Sequence, residues 1–104
     1  MTDTKLQTRT REKIMPKVGV KEPPSYNVIY LNDDVTSMEF VIETLKSIFH
    51  YPEESAAALT MRVHEEGSAV VATMPYEMAE QKGIEVTVLA RSNGYPLQVK
   101  IEAE

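Results

Sequence analysis

The stretch LNDDVTSMEFVIETLKSIF, residues 31–49, decides the fold: it reads as the end of a strand, an acidic turn and a helix with one apolar face. Thr36 and Glu39 stand at the spacing of a T-x-x-E capping box, which predicts a helix start in which the Thr36 hydroxyl takes a free amide of the first turn. Met38, Val41, Ile42, Leu45, Ile48 and Phe49 follow at spacings of three and four, whereas Glu39, Glu43, Thr44, Lys46 and Ser47 fall on the other side. The first set is therefore the core face. Before the helix, Asn32, Asp33 and Asp34 place one amide and two carboxylates in the turn. Turn chemistry is one reading of them, because Asn and Asp bond their own backbone and favour helix starts, and a binding role is the other.

Working towards the N-terminus, YNVIYL at residues 26–31 is β-rich and predicts the first strand. Pro23 and Pro24 mark the boundary of a single domain, residues 23–104. Residues 1–22 are polar, without a sustained apolar period, and read as a flexible extension. Charge divides at the same place. Residues 1–22 hold six Lys or Arg against three acids, and residues 23–104 hold five against thirteen. A domain so acidic does not seek nucleic-acid phosphates, which need a basic face.

Working towards the C-terminus, Pro52 suits the first turn of a second helix with Ala56, Leu59, Thr60 and Val63 on one face and Gly67 as its left-handed stop. Thr60 puts a small hydroxyl where a large apolar side chain would fill the core. His64 lies one turn further on the same face, and a lone His there is more often structural than functional. AVVAT, residues 69–73, predicts a second strand buried on both faces or at the sheet centre. Pro75 opens a third helix with Tyr76, Ala79, Gly83, Val86 and Ala90 aligned, although the β-branched run at residues 84–89 leaves a strand open as an alternative. LQVKIE, residues 97–102, alternates as a last strand with Leu97, Val99 and Ile101 inward. The order strand, helix, helix, strand, helix, strand predicts an α+β fold in two layers, a three-stranded antiparallel sheet with three helices.

The 104 residues include no Cys, so disulfides and thiolate metal sites are excluded. No apolar run has the length of a membrane span and no secretory signal is evident, which leads us to expect a cytoplasmic protein. No calcium loop, phosphate loop, paired-His metal spacing or nucleophile elbow occurs, so neither metal nor cofactor is expected and the chain reads as a non-enzyme. What the pieces offer is cation recognition: the Asn32 carbonyl, the Asp33 carboxylate and a His64 nitrogen are three acceptors for an ammonium beside an apolar wall. A plain interaction domain and a small acid–base or carboxylate metal site are the competing readings.

NDDVTSMEFVIETL at residues 32–45, a His on the second helix and the Pro96-Leu97 pair before the last strand together closely resemble the ClpS family, adaptors that deliver N-end-rule substrates to a Clp ATPase. The resemblance runs from about Pro23 to the C-terminus. It implies recognition of proteins by a bulky apolar N-terminal residue, Leu, Phe, Tyr or Trp. It implies ammonium ligands at Asn32, Asp33 and His64, a side-chain pocket at Thr36, Met38, Val41, Val63 and Leu97, and Asp34 beside the mouth. EMAEQK at residues 77–82 resembles the family's docking stretch, which implies that Glu77 and Lys82 contact a hexameric Clp AAA+ unfoldase of the ClpA or ClpC type. The N-terminal extension resembles the part that engages the unfoldase during delivery. Two departures stand out: Ser37 replaces a common Pro, and Thr60 replaces a Met that closes the pocket against β-branched side chains. The second implies weaker exclusion of N-terminal Ile or Val. A domain that docks on a Clp ATPase without reading N-termini is the alternative.

Overall fold

The structure, a computed structural model, describes residues 23–104. The expected N-terminal extension, residues 1–22, lies outside the described residues. Strands β1 (Ser25–Leu31), β2 (Ser68–Pro75) and β3 (Gln98–Ala103) and helices α1 (Met38–Ser47), α2 (Glu53–Glu66) and α3 (Tyr76–Ser92) follow the order β1-α1-α2-β2-α3-β3. The sheet is antiparallel in the order β2-β1-β3. In register, Leu31 lies opposite Ser68 on one side and Gln98 on the other, so the C-terminal end of β1 meets the start of both neighbours.

Alternation explains which face of the sheet is covered. Val28 and Tyr30 of β1 and Ala69 and Val71 of β2 are buried, and with Leu97 they form one core with Val41, Leu45, Ala56, Val63, Ala79, Val86 and Ala90 of the helices. On the other face Asn27 accepts a hydrogen bond from its cross-strand partner Thr73 at 2.8 Å. The central strand is β1. AVVAT, expected to be buried on both faces or at the sheet centre, is instead part of an edge strand with Val70 exposed, because a short apolar run does not reveal how many neighbours a strand has.

The start of α1 differs from the T-x-x-E reading. Ser37 is the cap, its hydroxyl accepting the Phe40 amide at 3.1 Å, while Thr36 is held by Asp33. Met38 begins the helix and stays 37% exposed, whereas Thr44, expected on the polar side, is completely buried. Its hydroxyl donates to the Val41 carbonyl at 2.8 Å and meets the Tyr30 hydroxyl at 2.8 Å, so Tyr30 is the donor in that pair. Burial pushes the Tyr30 phenol well up, and the Thr44 bond offsets only part of that rise.

Between α1 and α2, His50 adopts φ 64°, and the Tyr51 hydroxyl donates to the Val71 carbonyl, pinning the turn to the sheet. Pro52 and Pro75 sit at the N-cap positions of α2 and α3 rather than inside them. Gly67 ends α2 at φ 88°, a left-handed cap that a side chain would strain. The third helix runs unbroken through the β-branched run: Ala79, Gly83, Val86 and Ala90 are buried on one stripe, and Ile84 and Val88 face outward. The packed stripe outweighs residue propensity there.

Candidate functional site

Three chain segments converge at the C-terminal end of β1. The Asn32 amide donates to the Gly67 carbonyl at 2.9 Å, tying the acidic loop to the end of α2, whose last turn carries His64. Arg91, near the end of α3, donates to the Tyr95 carbonyl at 3.0 Å and the Leu97 carbonyl at 2.9 Å. These bonds fix the Pro96 turn beside the loop.

Asp33 organises the loop itself. Its Oδ1 accepts the amides of Val35 at 2.8 Å and Thr36 at 2.7 Å, and its Oδ2 accepts the Thr36 hydroxyl at 2.9 Å. Partial burial alone would raise its pKa, but these bonds and the Arg91 charge outweigh that and hold the carboxyl below its usual value. An ionised carboxylate offers about four lone-pair sites. Three are engaged in the turn, which leaves one on Oδ2 for a cation. The Asn32 side chain makes no hydrogen bond among the described residues, so its carbonyl is also free to accept.

Next to these acceptors, Leu31, Asn32, Asp33, Thr36, Val41, Val63 and Leu97 line one small hollow of about 10 Å³. Its floor is apolar and deep, since Val41, Val63 and Leu97 are all buried. A space of that size holds about one water, so a bulky side chain enters only if the rim moves outward. A second hollow of about 190 Å³ shares Leu31, Asn32 and Asp33 and extends past Pro96 and Gln98.

Six of the expected site residues, Asn32, Asp33, Thr36, Val41, Val63 and Leu97, thus surround one concavity. Asp34 is exposed in the loop, His64 is exposed on α2, and Met38 is exposed at the start of α1; none of the three lines the hollow. Thr60 is buried one turn before Val63 and His64, and its hydroxyl donates to the Ala56 carbonyl at 2.8 Å. Glu77 and Lys82 lie apart on α3, where Glu77 borders a hollow with Pro23, Pro24, Tyr26, Pro75 and Tyr76. Sequence reasoning missed Leu31 and Arg91. Leu31 had a signal, being the last strand residue before the turn; Arg91 had none, because its role is set by carbonyls on the far side of a loop. Among the described residues, no group of three or more His, Asp or Glu is placed to hold a metal ion, and no helix is long and apolar enough to cross a membrane.

The model of the family described as "ATP-dependent Clp protease adaptor protein ClpS" matches residues 21–100. Among its relatives, the ClpS of Nautilia profundicola is 47% identical over 93 residues, covering 89% of this chain and 96% of that protein. The ClpS of Oleidesulfovibrio alaskensis is 38% identical over 102 residues, with 98% of each chain covered. The solved structure of Agrobacterium tumefaciens ClpS2 bound to L-phenylalaninamide superposes with a TM-score of 0.78 at 40% identity, covering 80% of this chain and 100% of that one. The acidic loop, the apolar hollow beside it and the near full-length matches lead to one assignment: this chain belongs to the ClpS family, the adaptors of the ATP-dependent Clp protease.

Proposed function

We propose that this adaptor captures proteins by a free N-terminus carrying a bulky apolar side chain, Leu, Phe, Tyr or Trp, and hands them to a Clp AAA+ unfoldase in the cytoplasm. The α-ammonium is held by the Asn32 carbonyl, the remaining Asp33 lone pair and His64, with Asp34 at the mouth. The side chain enters the hollow over Val41, Val63 and Leu97 as Thr36, Met38 and Thr60 adjust around it. One observation carries the reading: an ionised carboxylate with an unused acceptor site borders a small hollow floored by buried aliphatic side chains. The similar ClpS2 structure supports it, because L-phenylalaninamide combines a free α-amine with a benzyl side chain.

The energetics suffice. Burying a Leu or Phe side chain contributes about 1.5–3 kcal/mol, and each hydrogen bond to a charged group contributes about 1.5–3 kcal/mol. Ordering the peptide end takes back part of this, which leaves micromolar binding, about −8 kcal/mol. Both halves are needed: an acetylated N-terminus has lost its charge and would leave Asp33 desolvated without a cation. The chain itself performs no covalent step. The partner is a hexameric unfoldase of the ClpA or ClpC type, reached through Glu77 and Lys82, and the N-terminal extension engages it during delivery. With Thr60 in place of a larger side chain, β-branched Ile and Val are excluded less strictly.

Fluorescence anisotropy of three labelled peptides, with free N-terminal Leu, acetylated Leu and free N-terminal Ile, tests the reading. Micromolar binding of the free Leu peptide and much weaker, but titratable, binding of its acetylated twin is the expected result. Equal binding of the two, or none of either, overturns N-terminal recognition and leaves a domain that docks on a Clp ATPase without reading N-termini. Thr60→Met tests the relaxed specificity, which fails if the Ile/Leu affinity ratio stays unchanged.

A further inference from the structure

Among the described residues, β3 pairs with β1 and with no other strand. The Glu104 amide donates to the Ser25 carbonyl at 3.0 Å, in the register that sets Ala103 opposite Tyr26. Hydrogen-bonded positions alternate along an antiparallel pair, so residues 98, 100, 102 and 104 direct their backbone groups to β1, and the amides and carbonyls of Val99, Ile101 and Ala103 point to the outer edge. The side chains of Val99 and Ile101 lie on the helix-covered face. With Ile84 and Val88 of α3 they line a groove of about 310 Å³, and those two helix residues are 57% and 60% exposed. A sheet edge bordered by an exposed aliphatic strip is a template for another strand.

We propose that a second copy of this chain pairs there, β3 against β3, antiparallel about a twofold axis at Ile101. Backbone register and charge select this occupant together. Centred on Ile101, the pairing sets Val99 opposite the partner's Ala103 and bonds the outward-facing groups of residues 99, 101 and 103 on both copies. The same register sets Lys100 opposite the partner's Glu102, and Glu102 opposite the partner's Lys100. Both side chains are exposed on the uncovered face of the sheet, where they already pair within the chain at 2.8 Å. Centred one residue away on either side, the strand would set Lys100 against the partner's Lys100 or Glu102 against the partner's Glu102, and like charges directly opposite are unfavourable. The pairing also lays the two grooves side by side, so that the aliphatic side chains at their common edge shield one another. Two acidic domains repel at long range, but salt screens that force beyond about 10 Å at 0.1 M, so the contact is weak and its register is decided locally. Neither Glu77 nor Lys82 nor any residue of the acidic loop belongs to β3 or lines the groove, which makes the pairing independent of unfoldase docking and of N-terminal recognition.

Sedimentation equilibrium of the full chain, up to millimolar concentration and at physiological ionic strength, provides the test. The parent should show a concentration-dependent monomer–dimer equilibrium. Lys100→Glu sets acid against acid and Glu102→Lys sets base against base, so each variant alone should self-associate about tenfold more weakly or worse. An equimolar mixture of the two restores opposite charges at both contacts and should associate as the parent does. Overall charge predicts a different pattern, in which the first variant of this acidic chain dimerises more weakly and the second more strongly. A parent that stays monomeric throughout overturns the proposal. So does a dimer that both substitutions leave unchanged, or one that follows net charge alone.

Discussion

Asp33→Asn separates the two tasks assigned to that carboxylate. An Asn side chain keeps one carbonyl oxygen, which can still accept the Val35 and Thr36 amides now bonded at 2.8 and 2.7 Å. The Thr36 hydroxyl, now donating at 2.9 Å, would turn and accept from the new amide group. The turn therefore survives, and the expected stability loss at neutral pH is about 1 kcal/mol, the net worth of a hydrogen bond. The charge does not survive. Losing a charged partner for the ammonium should weaken a free Leu peptide by about 1.5–3 kcal/mol, or roughly 10- to 150-fold. The acetylated peptide provides the other half of a cycle: having no ammonium, it should lose nothing further, so the two changes are strongly non-additive. The assay is anisotropy with urea unfolding of the same samples. A variant that folds normally and binds free Leu within threefold of the parent refutes the ammonium role, and equal losses for both peptides would place Asp33 in the turn alone.

The lowered pKa of Asp33 makes its contribution acid-sensitive in a defined direction: it is present above the unfolded carboxyl value, near 4, and fades as pH falls through the folded value. Urea titrations between pH 6 and 2 should show the parent converging on Asp33→Asn at the acid end. Thr44→Val strands the buried Tyr30 hydroxyl and should cost about 1–3 kcal/mol, whereas Tyr30→Phe leaves Thr44 bonded to Val41 and should cost less. Chemical denaturation of both variants checks that order. Ser37→Ala removes the observed cap and should cost about 1 kcal/mol; Glu39→Gln should stay within about 0.5 kcal/mol in the same assay. Gly83→Ala should stabilise by about 0.5–1 kcal/mol, because the added Cβ would meet Ile101 at 3.5 Å and Val99 at 3.6 Å, ordinary contact distances. A lower thermal midpoint for that variant would contradict the reasoning.

How far each element was legible follows from the distance over which its determinants act. The helix α1 was legible because its period lies within a dozen residues, and α3 because its buried stripe outlasts the β-branched run. The cap of α1 was misplaced by one residue: Thr36 and Ser37 are both good cap formers, and what decides between them is Asp33, which takes both the amide and the hydroxyl of Thr36. Thr44 was assigned to solvent because its partner, Tyr30, lies fourteen residues away on another element. The edge position of β2 depends on strand order, which no local pattern encodes.

The site divides in the same way. Asn32, Asp33 and Thr36 belong to one turn, and their chemistry can be read in a line. Val63 and Leu97 come from other elements and join them only after the sheet has formed and the Asn32 amide has bonded to the Gly67 carbonyl. This arrangement bears on function. A carboxylate that organises its own turn through three bonds is already oriented before a ligand arrives, so little reorganisation is needed when an ammonium takes the remaining lone pair. The hollow beside it is not preformed to the same degree: at about 10 Å³ it must open for a side chain. Recognition then divides between a rigid charge reader and an adjustable apolar wall. On that division, substitutions in the loop change affinity for every N-terminal residue alike, and substitutions at the wall change the ranking among them.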